Sequence, residues 1–141
     1  MLIQLGEQES LKLLEEMKIG RMGCCLNDAP YVIPIHYFFD GKHIYVHSLP
    51  GRKIEMLRAN PNVCLQVDEI KDEYNWRSVI VFGRYEELTA VAEHDTALAM
   101  LFRHMPHLTP VEAGMSRQSV QSIVFRIKPD QITGVCEQWS E

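Results

Sequence analysis

Residues 31–53, YVIPIHYFFDGKHIYVHSLPGRK, constrain the fold more than any other stretch. Positions 31–39 and 43–48 are rich in β-branched and aromatic residues, and Asp40-Gly41 between them is a two-residue turn signal. That turn would set Phe39 opposite Lys42, Phe38 opposite His43, His36 opposite Tyr45 and Pro34 opposite His47. Side chains alternate along a strand, so Ile33, Ile35, Tyr37, Phe39, Ile44 and Val46 form a core face. Pro34, His36, Phe38, His43, Tyr45 and His47 share the other face, which is aromatic and polar together. A proline cannot donate to a ladder, so Pro34 marks an edge, a bulge or a ligand lying close to the backbone. The chain then runs through Ser48-Leu49-Pro50-Gly51-Arg52-Lys53 into a helical pattern. A hydroxyl, a glycine and two cations at a helix start suit a phosphate, because free N–H groups and the helix dipole already favour an anion there. A flat aromatic surface beside such a site points to a planar phosphorylated cofactor.

The rest of the pattern is mostly β. Residues 7–18 have the spacing of an amphipathic helix, with Leu11, Leu14 and Met17 or Ile19 on one stripe. Strands are expected at 19–26, 62–69 and 76–88, with a turn at Asn27-Asp28-Ala29-Pro30 and a polar loop at 70–75. Gly83 inside its strand marks a bulge or a close backbone approach. Helices are expected at 52–59, ended by Asn60-Pro61, and at 89–105, closed by Pro106. An irregular connection covers 106–117. Two last strands, 119–127 and 131–136, are separated by Lys128-Pro129-Asp130. Six or seven strands joined mainly by short turns pair antiparallel and form a small barrel. An interior of that size is filled by side chains, so a cofactor would sit outside it or at a subunit interface.

The 141 residues are expected to form one domain, 1–141, large enough to bury a core. A net charge of −5 argues against a nucleic-acid partner, Arg52, Lys53 and Arg58 being local exceptions. No apolar run is long enough to span a membrane, and the first residues lack the pattern of a signal peptide. Cys24, Cys25, Cys64 and Cys136 form no C-x-x-C pair and read as buried, reduced thiols of a cytoplasmic protein.

Several segments together are familiar: Pro34-Ile35-His36-Tyr37, Tyr45-Val46-His47-Ser48, Gly51-Arg52-Lys53, Asn60-Pro61, and residues 76–83, WRSVIVFG. In this order they resemble the pyridoxamine 5′-phosphate oxidase-like FMN-binding split-barrel superfamily, and within it the 5-nitroimidazole-resistance branch. The resemblance covers roughly residues 15–139. It implies a split β-barrel of Greek-key type and a homodimer with FMN in grooves at the subunit interface. It places the backbone of Pro34, Ile35 and His36 along the flavin ring and matches Ser48, Arg52 and Lys53 to the phosphate-binding stretch. Trp76, Arg77 and Ser78 match the strand that meets the cofactor from the partner subunit. His47 matches a histidine near the flavin's reactive region, and Trp139 a tryptophan closing over the site. The phosphate pattern of true pyridoxamine-phosphate oxidases is incomplete here and their substrate-binding C-terminal signature is not visible, which argues against vitamin B6 oxidation.

Each nominated residue has a plainer use. A strand histidine is most often a hydrogen-bonded surface group, and His36 and His47, diagonal on the hairpin face, are joined only by His43, so no metal site is expected. Arg52 and Lys53 are ordinary helix charges unless an anion sits at Ser-x-Pro-Gly. Trp76 also suits plain interface packing. Three functional readings follow. In the first, FMN carries the electron chemistry of an oxidoreductase, NAD(P)H reduces it, and a small planar acceptor, nitroaromatics included, is reduced in turn. His47 then serves as the proton-donating or hydrogen-bonding residue. The second is a non-catalytic FMN-binding or redox-sensing module. A haem-handling split barrel, which would need His36, His43 or His47 to reach iron, is a third.

Overall fold

The computed structural model describes residues 2–105 and 122–138. Its elements run β1 (Leu2–Gln4), α1 (Glu7–Glu16), β2 (Ile19–Leu26), β3 (Ala29–His36), β4 (Phe38–Phe39), β5 (Ile44–Ser48), α2 (Arg52–Ala59), β6 (Asn62–Asp72), β7 (Asn75–Glu87), α3 (Val91–His104) and β8 (Ile123–Glu137). All strand pairs are antiparallel, in the order β3-β2-β6-β7-β8-β5-β4, with β1 on the other edge of β8's second half. The sheet coils around one apolar core that includes Met22, Tyr37, Ile44, Leu57, Leu65 and Phe125. It is mostly β with flanking helices, as the sequence implies, but it does not close. Among the described residues no ladder joins β3 to β5, and the gap between them is the split of the barrel.

The expected hairpin of 31–39 with 43–48 is corrected. Residues 29–36 pair with β2, and only Phe38 and Phe39 pair with Tyr45 and Ile44. The cause lies one turn earlier. Asn27 and Asp28 both adopt positive φ, 53° and 63°, the primed turn that matches strand twist, so β3 folds back on β2. The second turn also shifts. The Asp40 carboxylate accepts from the N–H groups of Lys42 and His43 at 2.8 and 2.7 Å, and Gly41 takes φ 96°. Gly41-Lys42 is therefore the turn, and each residue faces a partner two positions beyond the expected one. A two-residue shift keeps every side chain on its face. Ile35, Tyr37, Phe39, Ile44 and Val46 are accordingly buried, as expected, with Ile33 half-buried. Pro34 sits on an edge strand, one of the options its missing N–H leaves open.

The two expected last strands are one, Ile123–Glu137. Its register against β7 slips where Phe82 faces Gln131 and Gly83 faces Pro129, leaving Asp130 as the extra residue of a bulge. Gly83 permits this, since a Cβ there would collide with the Lys128 carbonyl oxygen. The bend lets the first half of β8 pair β5 and the second half pair β1. The loop expected at 70–75 is narrower, because β6 runs through Asp72 and only Glu73 and Tyr74 turn. Of the four cysteines, all free, Cys24 and Cys136 are buried while Cys25 and Cys64 are only partly so. The connection at 106–117 and Trp139 lie outside the described residues.

Candidate functional site

The split between β3 and β5 opens as a cleft of about 400 Å³. That volume is in the usual range for small-ligand sites. Pro34, Ile35 and His36 come to it from β3, His47 and Ser48 from β5, and Arg52 and Lys53 from the first turn of α2. Seven of the ten nominated residues thus meet in one place. They meet because β3 and β5 are consecutive long strands that bond to opposite ends of the sheet. Tyr31, not nominated from the sequence, also lines the cleft. Its place at the start of the aromatic-rich run was the available signal.

One end of the cleft gathers two cationic side chains at a helix start. The first intrahelical bond of α2 runs from the Glu55 N–H to the Gly51 carbonyl at 3.1 Å, so the N–H groups before it have no helical acceptor. Gly51 itself is extended, with φ 168° and ψ −168°. Lys53 is half-buried, and desolvation holds its ammonium below the usual lysine range. Arg52 is exposed, and its guanidinium carbon lies 5.8 Å from the centroid of the Tyr31 ring. Among the described residues neither cation pairs with a carboxylate. Ser48 is 2% exposed and its hydroxyl donates to the Leu49 carbonyl at 2.8 Å. To donate to an anion, that hydroxyl must turn away from the carbonyl.

His47 is placed differently from an open-face histidine. Its ring meets the edge of Phe102 on α3 at 5.6 Å between centroids, and both ring nitrogens are shielded from solvent. Beside it, His104 of the same helix stacks on Phe38 at 4.0 Å. α3 therefore covers the far side of β5, and His47 lies between helix and cleft.

Trp76, Arg77 and Ser78 do not reach this cleft within one chain. Trp76 and Arg77 line a second hollow of about 410 Å³ at the far end of the β6–β7 hairpin. There the Trp76 Nε1–H donates to Glu137 Oε2 at 2.9 Å, and Arg77 pairs with Glu69 at 3.0 Å. The Ser78 Oγ lies 3.0 Å from Gln66 Nε2, which in turn lies 2.9 Å from an Asp68 oxygen. Among the described residues no three His, Cys, Asp or Glu side chains gather at metal-holding distance. Nor is any of the described helices long and apolar enough to cross a membrane.

The profile of the pyridoxamine 5′-phosphate oxidase family matches residues 6–135. The chain belongs to this family. Its open antiparallel sheet is the family's split barrel. An uncharacterised protein of Rhizobium meliloti (strain 1021) is 38% identical over 139 residues, covering 92% of this chain and 91% of its own. Among solved structures, an FAD-binding protein of Mesorhizobium loti is 34% identical and superposes with a TM-score of 0.78, covering 99% of this chain and 98% of that one. A Bacteroides thetaiotaomicron protein, assigned only provisionally to 5-nitroimidazole antibiotic resistance, is 23% identical. It covers 96% of this chain and 87% of its own at a TM-score of 0.75, a likeness of fold alone.

Proposed function

We propose that this member of the family is an FMN-binding oxidoreductase that works as a homodimer. The observation that carries the proposal is the meeting of Pro34–His36 with Ser48, Arg52 and Lys53 around one cleft whose cations have no carboxylate partner among the described residues. The residues fit a flavin mononucleotide. Lys53, Arg52 and the free N–H groups of α2 would hold the phosphate. The β3 backbone at Pro34, Ile35 and His36 would lie along the ring system. Bound there, the flavin supplies the electron transfer, with NAD(P)H as reductant and a small planar acceptor, nitroaromatics included, as oxidant. The second copy would bring Trp76, Arg77 and Ser78 to the open side of the cleft. Support for that copy comes from the outer sheet face, where Ile19, Val32, Ile70 and Phe82 are exposed apolar residues.

A specific observation favours the second functional class. The shielded nitrogens of His47 are out of solvent's reach, as suits a positioning residue more than a proton donor. A non-catalytic flavin-binding module would have the same cleft.

The test is to purify the protein, add FMN, desalt and record the visible spectrum. Stoichiometric retained flavin bands support the cofactor, and bleaching by NADPH without oxygen supports the oxidoreductase. Retention without bleaching favours the non-catalytic module. Absence of retained flavin overturns the proposal.

A further inference from the structure

Arg52 and Tyr31 come from opposite sides of the cleft. Tyr31 stands on the free edge strand β3, and Arg52 begins α2, which follows β5. Both line the cleft, and the guanidinium lies 5.8 Å from the ring centroid. Among the described residues Arg52 has no ion-pair partner, so this ring contact is the one that orients it. A long, exposed arginine otherwise samples many rotamers, and each costs entropy to fix when an anion binds. A guanidinium held against an aromatic face keeps its N–H fork free for a phosphate at its rim.

We infer that Tyr31 is a positioning residue for the cofactor's phosphate, acting through Arg52, and that it makes the cleft discriminate a phosphorylated flavin from the same flavin without its phosphate. The inference rests on the flavin reading above and adds a residue and a selectivity to it. A simple wall residue would touch the ring system or ribityl chain, which FMN and riboflavin share. A residue working through Arg52 acts only where they differ. Tyr31→Phe keeps the aromatic face and should behave as wild type. Tyr31→Leu keeps bulk and apolarity but removes the face.

The experiment measures FMN and riboflavin dissociation constants by flavin-fluorescence quenching for wild type, Tyr31→Phe, Tyr31→Leu, Arg52→Gln and the Tyr31→Leu/Arg52→Gln pair. An exposed cation–π contact corresponds to about a 2- to 5-fold change in an equilibrium constant. Tyr31→Leu should weaken FMN by that factor and leave riboflavin unchanged. In the Arg52→Gln background the Tyr31 change should have no further effect, because the group it orients is gone. Equal weakening of both flavins by Tyr31→Leu, or full additivity with Arg52→Gln, overturns the inference while leaving the cofactor in place. Wild-type protein that binds neither flavin overturns the functional reading and this inference together. Thermal melting of each variant separates misfolding from lost selectivity, and Tyr31→Gln, which also removes the aromatic face, takes the place of Tyr31→Leu should that variant fail to fold.

Discussion

The Tyr37 hydroxyl donates to the Leu14 backbone carbonyl at 2.6 Å, in the buried interior. This one bond ties the end of α1 to the segment between β3 and β4. The backbone repeats the link, since the Tyr37 N–H donates to the Lys18 carbonyl at 3.0 Å. The helix is thereby pinned under the β3 wall of the cleft.

Tyr37→Phe should lower stability by about 1–3 kcal/mol, the usual cost of leaving a buried carbonyl without its donor. Burial also pushes the Tyr37 hydroxyl above its ordinary value of 10.0. A group raised in the folded state favours folding fully below its unfolded value and loses that contribution as pH rises beyond it. The gap between wild type and Tyr37→Phe in urea unfolding should be constant up to pH 10 and narrow above it. A gap that does not change across that range would show that the hydroxyl titrates as in the unfolded chain.

Gly83→Ala tests the bulge that lets β8 serve both halves of the sheet. The added methyl meets the Lys128 carbonyl, which is backbone and has no rotamer to change. Overpacking of this kind costs about 1–3 kcal/mol. The urea midpoint should fall accordingly. An unchanged midpoint would mean that β7 and β8 separate there at little cost.

Much of this fold was legible because its signals are local. The helix at 52–59, the strand at 19–26 and the tight spot at Gly83 all follow from residues within a few positions of each other. The partner of β3 was not legible, because Asn27-Asp28 and Asp40-Gly41 are both competent turns and the sequence does not rank them. The core face survived that error because side-chain alternation depends on parity, not on partner. The short strand β1 gave no usable period. For the site, Pro34, Ser48 and Lys53 could be placed in one stretch and do meet in one cleft. The cover over His47 could not be foreseen, since Phe102 comes from a helix more than fifty residues away. The separation of Trp76 from Pro34 likewise depends on sheet order, which no single stretch encodes.

Lys53→Met should weaken FMN binding by about 10- to 100-fold if the ammonium makes a charge-assisted bond to the phosphate. Its pH behaviour is distinctive. Desolvation lowers the Lys53 pKa from 10.5 in the free protein, and a bound dianion favours the ammonium. Below the lowered value Lys53 is already charged and binding takes up no proton on it. As pH rises through the lowered value, binding must take one up, so FMN affinity falls. Titration calorimetry in two buffers of different ionisation enthalpy should detect this alkaline proton uptake in wild type and not in Lys53→Met. Uptake of equal size in the variant would place the titrating group elsewhere.

The proposed homodimer predicts an effect at a distance. Directly paired residues share a sheet face, so Val32, Gly23, Cys64 and Phe82 form one row across β3, β2, β6 and β7, and Pro34, Arg21, Gln66 and Ile80 form the next. Phe82 is 45% exposed and Val32 66%, a large apolar area around the bonded group of Arg21, Gln66, Asp68 and Ser78. Such a surface, apolar with a satisfied polar centre, suits a subunit contact. In a folded monomer Phe82→Glu puts a charge into solvent and should change the melting temperature little. In a dimer it buries an unpaired carboxylate, which is strongly unfavourable. Phe82→Glu should therefore sediment as a monomer. It should also lose FMN on desalting, although Phe82 does not line the cleft, because Trp76, Arg77 and Ser78 would no longer arrive from the second copy. A variant that stays dimeric and keeps its flavin would move the subunit contact to another face.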